Sequence, residues 1–167
     1  ETGRKVVMHV GDVADMADVQ RMTQGALDAF GKIDILVNNA GYVFFRPVKD
    51  LEVTEWQRML DVNLSGPFYC IKAALPSMLE RRSGRIINIS SVAGVKPLLE
   101  QSAYCAAKHG LNGFTKVLAM ELREYGIRVH SICPGGVDTK LSRDAMPHRD
   151  PSDFMTPDDI EIGRAHV

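Results

Sequence analysis

Short apolar runs alternate along the chain with longer segments in which apolar residues recur every three or four positions. The runs at 5–10, 33–37, 85–89 and 127–133 are rich in branched aliphatic residues and are predicted to be strands. Continuous apolar strands of this kind are typical of parallel sheets that are covered on both faces. Their alternation with helical segments therefore predicts βαβ units around a parallel sheet.

Three helical segments separate the predicted strands. The first runs from an N-cap at Asp15 to a closing glycine, Gly31. The second opens at Thr54, and Pro67 is expected to kink it. The third covers residues 102–124. Strands and helices together predict an α/β fold.

The third predicted helix is apolar on two sides. Its two stripes are Ala107-Leu111-Phe114-Leu118-Leu122 and Ala106-Gly110-Gly113-Val117-Met120. A helix that is apolar on opposite sides is buried on both. One stripe is expected to meet the sheet, and the other fits either a second subunit or burial within the same domain. The pattern alone leaves both alternatives open.

Length, composition and charge narrow the class of protein. The 167 residues, 45% hydrophobic and 25% charged, are typical of one globular domain. The formal net charge of −1 and the scattered Lys and Arg residues provide no nucleic-acid footprint, so a small-molecule partner is expected. No apolar run is long enough to span a bilayer, which favours a cytoplasmic protein.

The cysteines do not indicate a metal site or a redox motif. Cys70, Cys105 and Cys133 are odd in number and lack the close pairing that such sites require. We therefore predict buried free thiols and no metal.

Tyr104 and Lys108 form the first candidate for chemistry. Four residues apart on a predicted helix, they lie on the same face and can meet. A phenol with a pKa of about 10 is a weak base at neutral pH, and a nearby ammonium lowers that pKa. Bringing the pKa to neutrality takes about 3 units, or about 4 kcal/mol. Because an isolated pair of this kind is most often a surface pair, the surrounding sequence decides its meaning.

Polar residues follow two of the predicted strands. Ser91 comes just after the strand 85–89, and Asn38-Asn39-Ala40-Gly41 follows the strand that ends at Val37. In a parallel sheet both places lie at the carboxyl edge, where ligands bind. A serine after a strand is more often a turn residue or a helix cap, but here its hydroxyl could donate to a carbonyl oxygen.

Six motifs in register resemble the short-chain dehydrogenase/reductase family. They are Asp12-Val13, Asn38-Asn39-Ala40-Gly41, Asn63, Ser91, Tyr104-Cys105-Ala106-Ala107-Lys108 and Pro134-Gly135-Gly136-Val137-Asp138-Thr139. The resemblance implies a Rossmann-like, doubly wound parallel sheet. It also implies an oxidoreductase that transfers a hydride between NAD(P)(H) and a ketone or secondary alcohol. Within the family, the sequence pattern of the strands and helices is most similar to bacterial 3-oxoacyl-(acyl-carrier-protein) reductases.

The resemblance also implies roles for single residues. Tyr104 would be the general acid/base at the substrate oxygen, and Ser91 would hold that oxygen. Lys108 would bind the nicotinamide ribose and lower the pKa of Tyr104, and Asn63 would hold a water linking Lys108 to solvent. The cofactor, NADP or NAD with a slight preference for NADPH, would be bound by Asp12, Val13, Asn39, Ala40, Gly41, Tyr104, Lys108, Pro134, Gly135, Val137 and Thr139.

Both ends of the chain depart from the family pattern. The family's first strand and its Thr-Gly-x-x-x-Gly-x-Gly turn have no counterpart before Gly11. We therefore expect an N-terminally truncated, partial sheet without the first two strands and the last strand, in which the run 5–10 has no partner. Residues 1–161 are expected to be the catalytic portion of one NAD(P)-binding domain. Residues 162–167 resemble a translated sequencing adapter and are interpreted as a non-native tail.

Substrate and partners stay open at this point. Arg82 matches one of two carrier-docking arginines of the 3-oxoacyl thioester reductases, but Tyr125 stands at the other position. Residues 140–154 are expected to form the substrate lid. The parent enzyme is expected to be a homodimer or homotetramer. The alternatives are a nucleotide-binding protein of the same fold and, for the isolated chain, a catalytically inactive interaction fragment.

Overall fold

The computed structural model describes residues 3–158, and the predicted non-native tail at 162–167 lies outside them. Eight regular elements follow one another along this part of the chain. They are α1 (Met16–Phe30), β1 (Ile35–Asn38), α2 (Val53–Leu60), α3 (Gly66–Arg81), β2 (Gly84–Ile89), α4 (Ser102–Glu121), β3 (Ile127–Ile132) and α5 (Lys140–Ala145).

The three strands form one parallel sheet in the order β1-β2-β3. Val37 lies opposite Ile87, which in turn lies opposite His130. Helix α3 packs against β1 and β2, while α4 packs against β3. The predicted α/β class with a parallel sheet is confirmed, and the carboxyl ends of the three strands meet at one edge.

The helix boundaries follow local signals in the sequence. Asp15 caps α1 by accepting from the backbone N–H groups of Ala17 and Asp18, and Gly31 ends it in the left-handed region at a φ of 75°. The predicted third helix is shorter than expected. Helix α4 ends at Glu121, and a 3₁₀ turn leads to Gly126 at a φ of 70°.

The core lies between the sheet and helices α3 and α4. It is a cluster of seven buried side chains: Ile71, Met78, Ile86, Leu118, Leu122, Ile127 and Val129. The first predicted stripe of α4 supplies Leu118 and Leu122, which confirms its burial. On the second stripe Val117 is 54% exposed and Met120 is 73% exposed. Within residues 3–158 the second stripe is thus not buried, and both alternatives for it stay predictions.

Residues 5–10 do not form the predicted strand. The segment runs along α1 instead, where the Lys5 Nζ donates to the Ala29 carbonyl at 2.7 Å and the His9 ring packs against Gly25. A strand needs a neighbour for its backbone groups. Within the described residues no strand pairs with this segment, so its branched side chains are not sufficient to make it β-structure.

The long second helix is interrupted just before Pro67. After α2 the chain widens into a π-helical turn, Asp61–Ser65, and α3 begins at Gly66 with Pro67 in its first turn. Proline lacks the N–H that an α-helical bond would need, so the predicted irregularity falls beside it. Wide turns of this kind are frequent at functional sites. Here the turn carries Asn63.

Candidate active site

Tyr104 and Ser91 lie on one cavity at the carboxyl edge of the sheet. Ser91 follows β2 and caps a 3₁₀ turn, with its Oγ accepting from the Ala93 N–H at 3.1 Å. Tyr104 lies in the first turn of α4, and its side chain lines the same cavity as that of Ser91. The cavity between them has a volume of about 410 Å³, within the range of small-molecule sites. We call it the Tyr104 cavity.

Lys108 lies behind Tyr104, one helical turn further along α4. It is only 4% exposed, and its Nζ donates to the Ile89 carbonyl at 2.9 Å and lies 5.5 Å from the Tyr104 ring centre. Burial lowers the pKa of Lys108 to about 8, because a low-dielectric surrounding disfavours the ammonium. An ammonium has three N–H groups, and among residues 3–158 only the Ile89 carbonyl accepts from it.

The pKa of Tyr104 does not follow the sequence-based expectation. Burial raises it above the ordinary value, because the phenolate is disfavoured away from water, while the hydrogen bond to Ser91 acts in the opposite direction. Lys108 is not among the causes of this shift, and the lowering expected from Lys108 together with a bound nicotinamide stays a prediction. The phenol is protonated at neutral pH, so Tyr104 is suited to donate a proton.

Asn63 connects the π-helical turn to the loop after β1. It is fully buried, and its Nδ2 donates to the carbonyls of Tyr42 (2.6 Å) and Met59 (3.0 Å). Its Oδ1 accepts from the Tyr42 N–H at 3.3 Å. The amide thus holds the loop that begins with Asn39 in place. The predicted water between Asn63 and Lys108 stays a prediction.

We predict that Asn63→Ala lowers the free energy of unfolding by about 1–3 kcal/mol, because it leaves the backbone groups of Tyr42 and Met59 without their partner. Urea denaturation followed by circular dichroism measures this change. Asn39→Ala is the matched control, since Asn39 is exposed and lies in the same loop. An equal loss in both variants would contradict the role given to Asn63.

A buried polar chain crosses from the sheet to α4, and the sequence motifs did not reveal it. Asn38 donates to Asn88 at 2.8 Å, and Asn88 donates to Thr115 at 2.9 Å. Thr115 donates to the Leu111 carbonyl at 2.7 Å. In the sequence, the signal for this buried polar chain is the presence of Asn38 and Asn88 in register within two otherwise apolar strands. The chain of bonds fixes the strand ends against the helix that carries Tyr104.

Asn112 is a second positioning residue that the sequence reasoning missed. Its Nδ2 donates to the Gly94 carbonyl at 2.9 Å, and its Oδ1 accepts from the Ser131 hydroxyl at 2.6 Å. At Gly94 a Cβ atom would lie 2.8 Å from the Lys108 carbonyl oxygen. Only a glycine lets the turn after Ser91 approach α4 this closely.

The residues predicted to bind adenine and its ribose form a second group. Val13, Asn39 and Ala40 line one small cavity beside α3, and Gly41 follows in the same loop. Asp12 lies next to Val13. Its carboxylate accepts from the Ala14 N–H at 2.9 Å and from Arg58 at 2.8 Å, and the Ala14 bond in particular holds its pKa below the ordinary value.

The loop 134–139 carries the remaining predicted residues, and it reaches the Tyr104 cavity at Gly135 and Gly136. The Pro134 carbonyl accepts from the Val92 N–H at 2.8 Å, and Gly135 lines the cavity. Val137 pairs with Met155 in an isolated bridge, and Thr139 caps α5. Helix α5 and the residues after it form one wall of the cavity, which is the position predicted for the lid.

Other predicted features have simple outcomes. All three cysteines are free; Cys70 and Cys105 are half-buried, but Cys133 is exposed, so its predicted burial is wrong.

The Arg82 guanidinium lies 5.6 Å from the Tyr125 ring centre, so both positions that were compared with carrier-docking arginines occur in one surface contact. Between residues 3 and 158 no group of His, Cys, Asp and Glu could hold a metal ion. No helix in this range is long and apolar enough to cross a membrane.

A parallel sheet with functional side chains at its carboxyl edge is the architecture of open α/β ligand-binding proteins. Within that class, a family model described as short chain dehydrogenase matches residues 1–150. The chain therefore belongs to the short-chain dehydrogenase family, as the six motifs predicted.

Individual relatives carry oxidoreductase names. The chain is 44% identical to the D-beta-hydroxybutyrate dehydrogenase of Rhizobium meliloti (strain 1021) over 142 residues, covering 85% of this chain and 55% of that protein. It is 40% identical to the 3-oxoacyl-(acyl-carrier-protein) reductase of Synechocystis sp. over 140 residues, covering 84% and 57%. The chain thus spans little more than half of these two relatives.

Solved structures share the fold. The structure of ElxO with NADP bound superposes with a TM-score of 0.84 at 27% identity, covering 92% of this chain and 67% of that one. A short-chain dehydrogenase from Streptomyces avermitilis gives a TM-score of 0.75 at 34% identity, covering 78% and 48%. The Rossmann-like class predicted from the sequence is confirmed.

Proposed function

We propose that the full-length protein containing this sequence transfers a hydride between a nicotinamide cofactor and a ketone or secondary alcohol. The observation that carries the proposal is the meeting of three side chains at the carboxyl edge of the sheet. The Tyr104 phenol and the Ser91 hydroxyl share one cavity, and the buried Lys108 lies behind them. This set offers a proton donor and a second hydroxyl for one substrate oxygen.

In the reducing direction Tyr104 gives its proton to the carbonyl oxygen as that oxygen gains charge. A phenol whose pKa is not below its ordinary value is protonated at neutral pH, so the donor is present before the substrate arrives. Ser91 donates a hydrogen bond to the same oxygen, which stabilises the developing negative charge. A bound nicotinamide cofactor would supply the hydride, and the protein supplies position and electrostatics.

The residues present fit such a cofactor. Lys108 has N–H groups left over after its bond to Ile89, and these can donate to ribose hydroxyls. Gly135 has open space around its Cα, so a flat ring can approach the backbone there. The binding set proposed from the family comprises Asp12, Val13, Asn39, Ala40, Gly41, Tyr104, Lys108, Pro134, Gly135, Val137 and Thr139. We propose NADP or NAD, with NADPH slightly preferred, and the likeness to the NADP-bound ElxO supports NADP.

The direct test is a turnover assay with the full-length protein, NADPH or NADH, and a series of small ketones that includes 3-oxoacyl thioesters. We expect ketone-dependent loss of the reduced nicotinamide absorbance. No turnover with any ketone, in a protein that binds the cofactor, would favour the alternative of a nucleotide-binding protein. A cytoplasmic location stays a prediction.

The exposed stripe of α4 supports self-association as a homodimer or homotetramer. Val117 and Met120 lie on it, and the half-exposed Phe68 ring packs edge-on against Phe114 nearby. An apolar patch of this kind on a helix marks an interaction surface. A second copy offers the same patch, so the two surfaces are complementary by symmetry.

We predict that the double variant Val117→Glu, Met120→Glu weakens self-association by at least about 10-fold, because two carboxylates would be buried without partners. Analytical ultracentrifugation over a concentration series measures this effect. Lys72→Glu is the control, since Lys72 is exposed beside α1, away from the stripe. Unchanged association in the double variant would exclude this interface.

A further inference from the structure

Two basic side chains line the Tyr104 cavity without a role in the reaction described above. They are Lys96, in the loop before α4, and Arg149, in the segment after α5. None of the described residues around this cavity is acidic. The site that would receive the substrate therefore carries two positive charges in addition to the buried Lys108.

Neither cation forms an ion pair with a residue between 3 and 158, whereas two basic residues shortly before Arg149 in the chain do. In the same segment Arg143 pairs with Asp138 at 2.9 Å, and Lys140 pairs with Asp144. The Arg149 guanidinium instead lies 5.9 Å from the ring centre of Phe154. Two charges at a cavity are thus left for a ligand, while their neighbours are neutralised locally.

Packing holds Arg149 at the cavity. Phe154 is buried, and its ring fills the space that a side chain on Gly136 would need, with Phe154 carbon atoms 2.5 Å from an added Cβ. The Met155 N–H donates to the Gly136 carbonyl at 2.8 Å, so the ring and the cavity loop are fastened together. The guanidinium lies within cation–π range of this ring, which favours its position at the cavity although Arg149 itself is exposed.

The remaining wall is mostly apolar. Val43, Phe45, Leu98, Leu141 and Met146 all line the cavity. An aliphatic chain fits such a wall, and an anionic group fits the two cations. Both features can belong to one small molecule.

Building on the proposed function, we propose that the substrate is a short aliphatic oxo or hydroxy acid. Tyr104 and Ser91 receive its ketone or alcohol oxygen, and Lys96 and Arg149 bind its carboxylate. The carboxylate takes no part in the reaction. It selects the substrate, because a neutral molecule of the same shape would leave both charges without a partner.

An anionic group at these cations could also be a phosphate of a thioester carrier. Two matched substrate pairs distinguish a carboxylate of the substrate from a phosphate of a carrier. Acetoacetate and its methyl ester differ in the carboxylate, and acetoacetyl-N-acetylcysteamine lacks the phosphate-bearing part of acetoacetyl-coenzyme A. The full-length protein is assayed with all four substrates, as wild type and as Lys96→Gln, Arg149→Gln and Lys140→Gln. Lys140→Gln is the control, since Lys140 lies in the same segment but not on the cavity wall.

We expect the wild type to favour acetoacetate over the methyl ester in kcat/KM. Lys96→Gln and Arg149→Gln should each reduce that ratio by about 10- to 100-fold, as expected for the loss of a hydrogen bond between charged groups. Turnover of the methyl ester should stay unchanged in these variants. In Lys140→Gln the ratio of kcat/KM between acetoacetate and its methyl ester should also stay unchanged. Arg149→Lys, which keeps the charge, should recover part of the preference.

Other results overturn the proposal. A change confined to the coenzyme A pair would assign the cations to a phosphate, and no change in either pair would show that they bind no anion of the substrate. If the wild type reduces none of the four ketones, the oxo acid is rejected as the substrate, while the wider ketone series decides on the proposed function. Calorimetric titration with acetoacetate then decides separately, because binding that weakens in Arg149→Gln supports the anion site and absence of binding rejects it.

Discussion

Replacement of Tyr104 by phenylalanine is expected to lower kcat by at least about 100-fold, the usual contribution of a positioned general acid. The substitution removes only the hydroxyl oxygen, which shares the cavity with Ser91, and leaves the ring beside Lys108. Binding of the cofactor should therefore be nearly unchanged. Steady-state kinetics of the full-length protein, with a fluorescence titration of NADPH, measures both quantities.

Tyr125→Phe is the matched control, because Tyr125 lies beside Arg82 at the end of α4 and not on the Tyr104 cavity. The pH profile gives an independent signature. Since the pKa of Tyr104 is raised, ketone reduction should be sustained through neutral pH and decline only in alkaline solution, while alcohol oxidation should rise there. Undiminished turnover in Tyr104→Phe would reject the assignment.

Replacement of Lys108 by methionine is expected to stabilise the fold and to abolish turnover. The pKa of Lys108 falls from 10.5 to about 8 on burial, and a shift of this size corresponds to about 3 kcal/mol of destabilisation by the buried ammonium. Methionine fills similar space without charge, but the Ile89 carbonyl loses its donor. We therefore expect a net gain of about 1–3 kcal/mol in the free energy of unfolding at neutral pH.

The gain should depend on pH in a defined direction. Below pH 8 the lysine is charged in both states, so the wild type bears the whole cost of burying the charge. Between about 8 and 10.5 the folded state is neutral while the unfolded chain still binds a proton, so the wild type becomes more stable as the pH rises. The difference between the two proteins should close across this range. Denaturant titrations at several pH values measure it.

Lys116→Met is the control for this variant, because Lys116 is an exposed residue of the same helix. It should change stability by less than about 0.5 kcal/mol at every pH. A Lys108→Met protein that is less stable than the wild type at neutral pH would contradict the cost assigned to the buried ammonium.

Much of the fold could be predicted because its signals are local. Asp15 has the side chain of an N-cap, and Gly31 and Gly126 lie where the backbone turns left-handed, so the ends of α1 and of the turn after α4 were visible in the sequence. The strands that pair were also found, since branched aliphatic residues mark each of them. The run 5–10 carries the same signal but forms no strand, because β-structure depends on a partner strand, whose absence only the likeness to the family indicated.

For the site, the sequence predicted the positions of the main residues but not all of their properties. The positions of Tyr104, Ser91 and Lys108 on one edge followed from strand ends and helix spacing. The direction of the Tyr104 pKa did not, because it depends on burial, which spacing cannot measure. The positioning bonds of Asn88 and Asn112 were missed for a related reason, since the asparagines are visible in the sequence but the burial of their amides is not.

Transfer of deuterium from the cofactor tests the central claim most directly. The full-length protein is given NADPH or NADH labelled with deuterium at nicotinamide C4, together with a ketone that it consumes, and the product is examined by mass spectrometry and NMR. Hydride transfer predicts one deuterium on the carbon that bears the new hydroxyl, with its attachment lost in Tyr104→Phe along with turnover. An alcohol product without deuterium at that carbon, or label released to solvent, would contradict the assignment of this protein as a nicotinamide-dependent oxidoreductase.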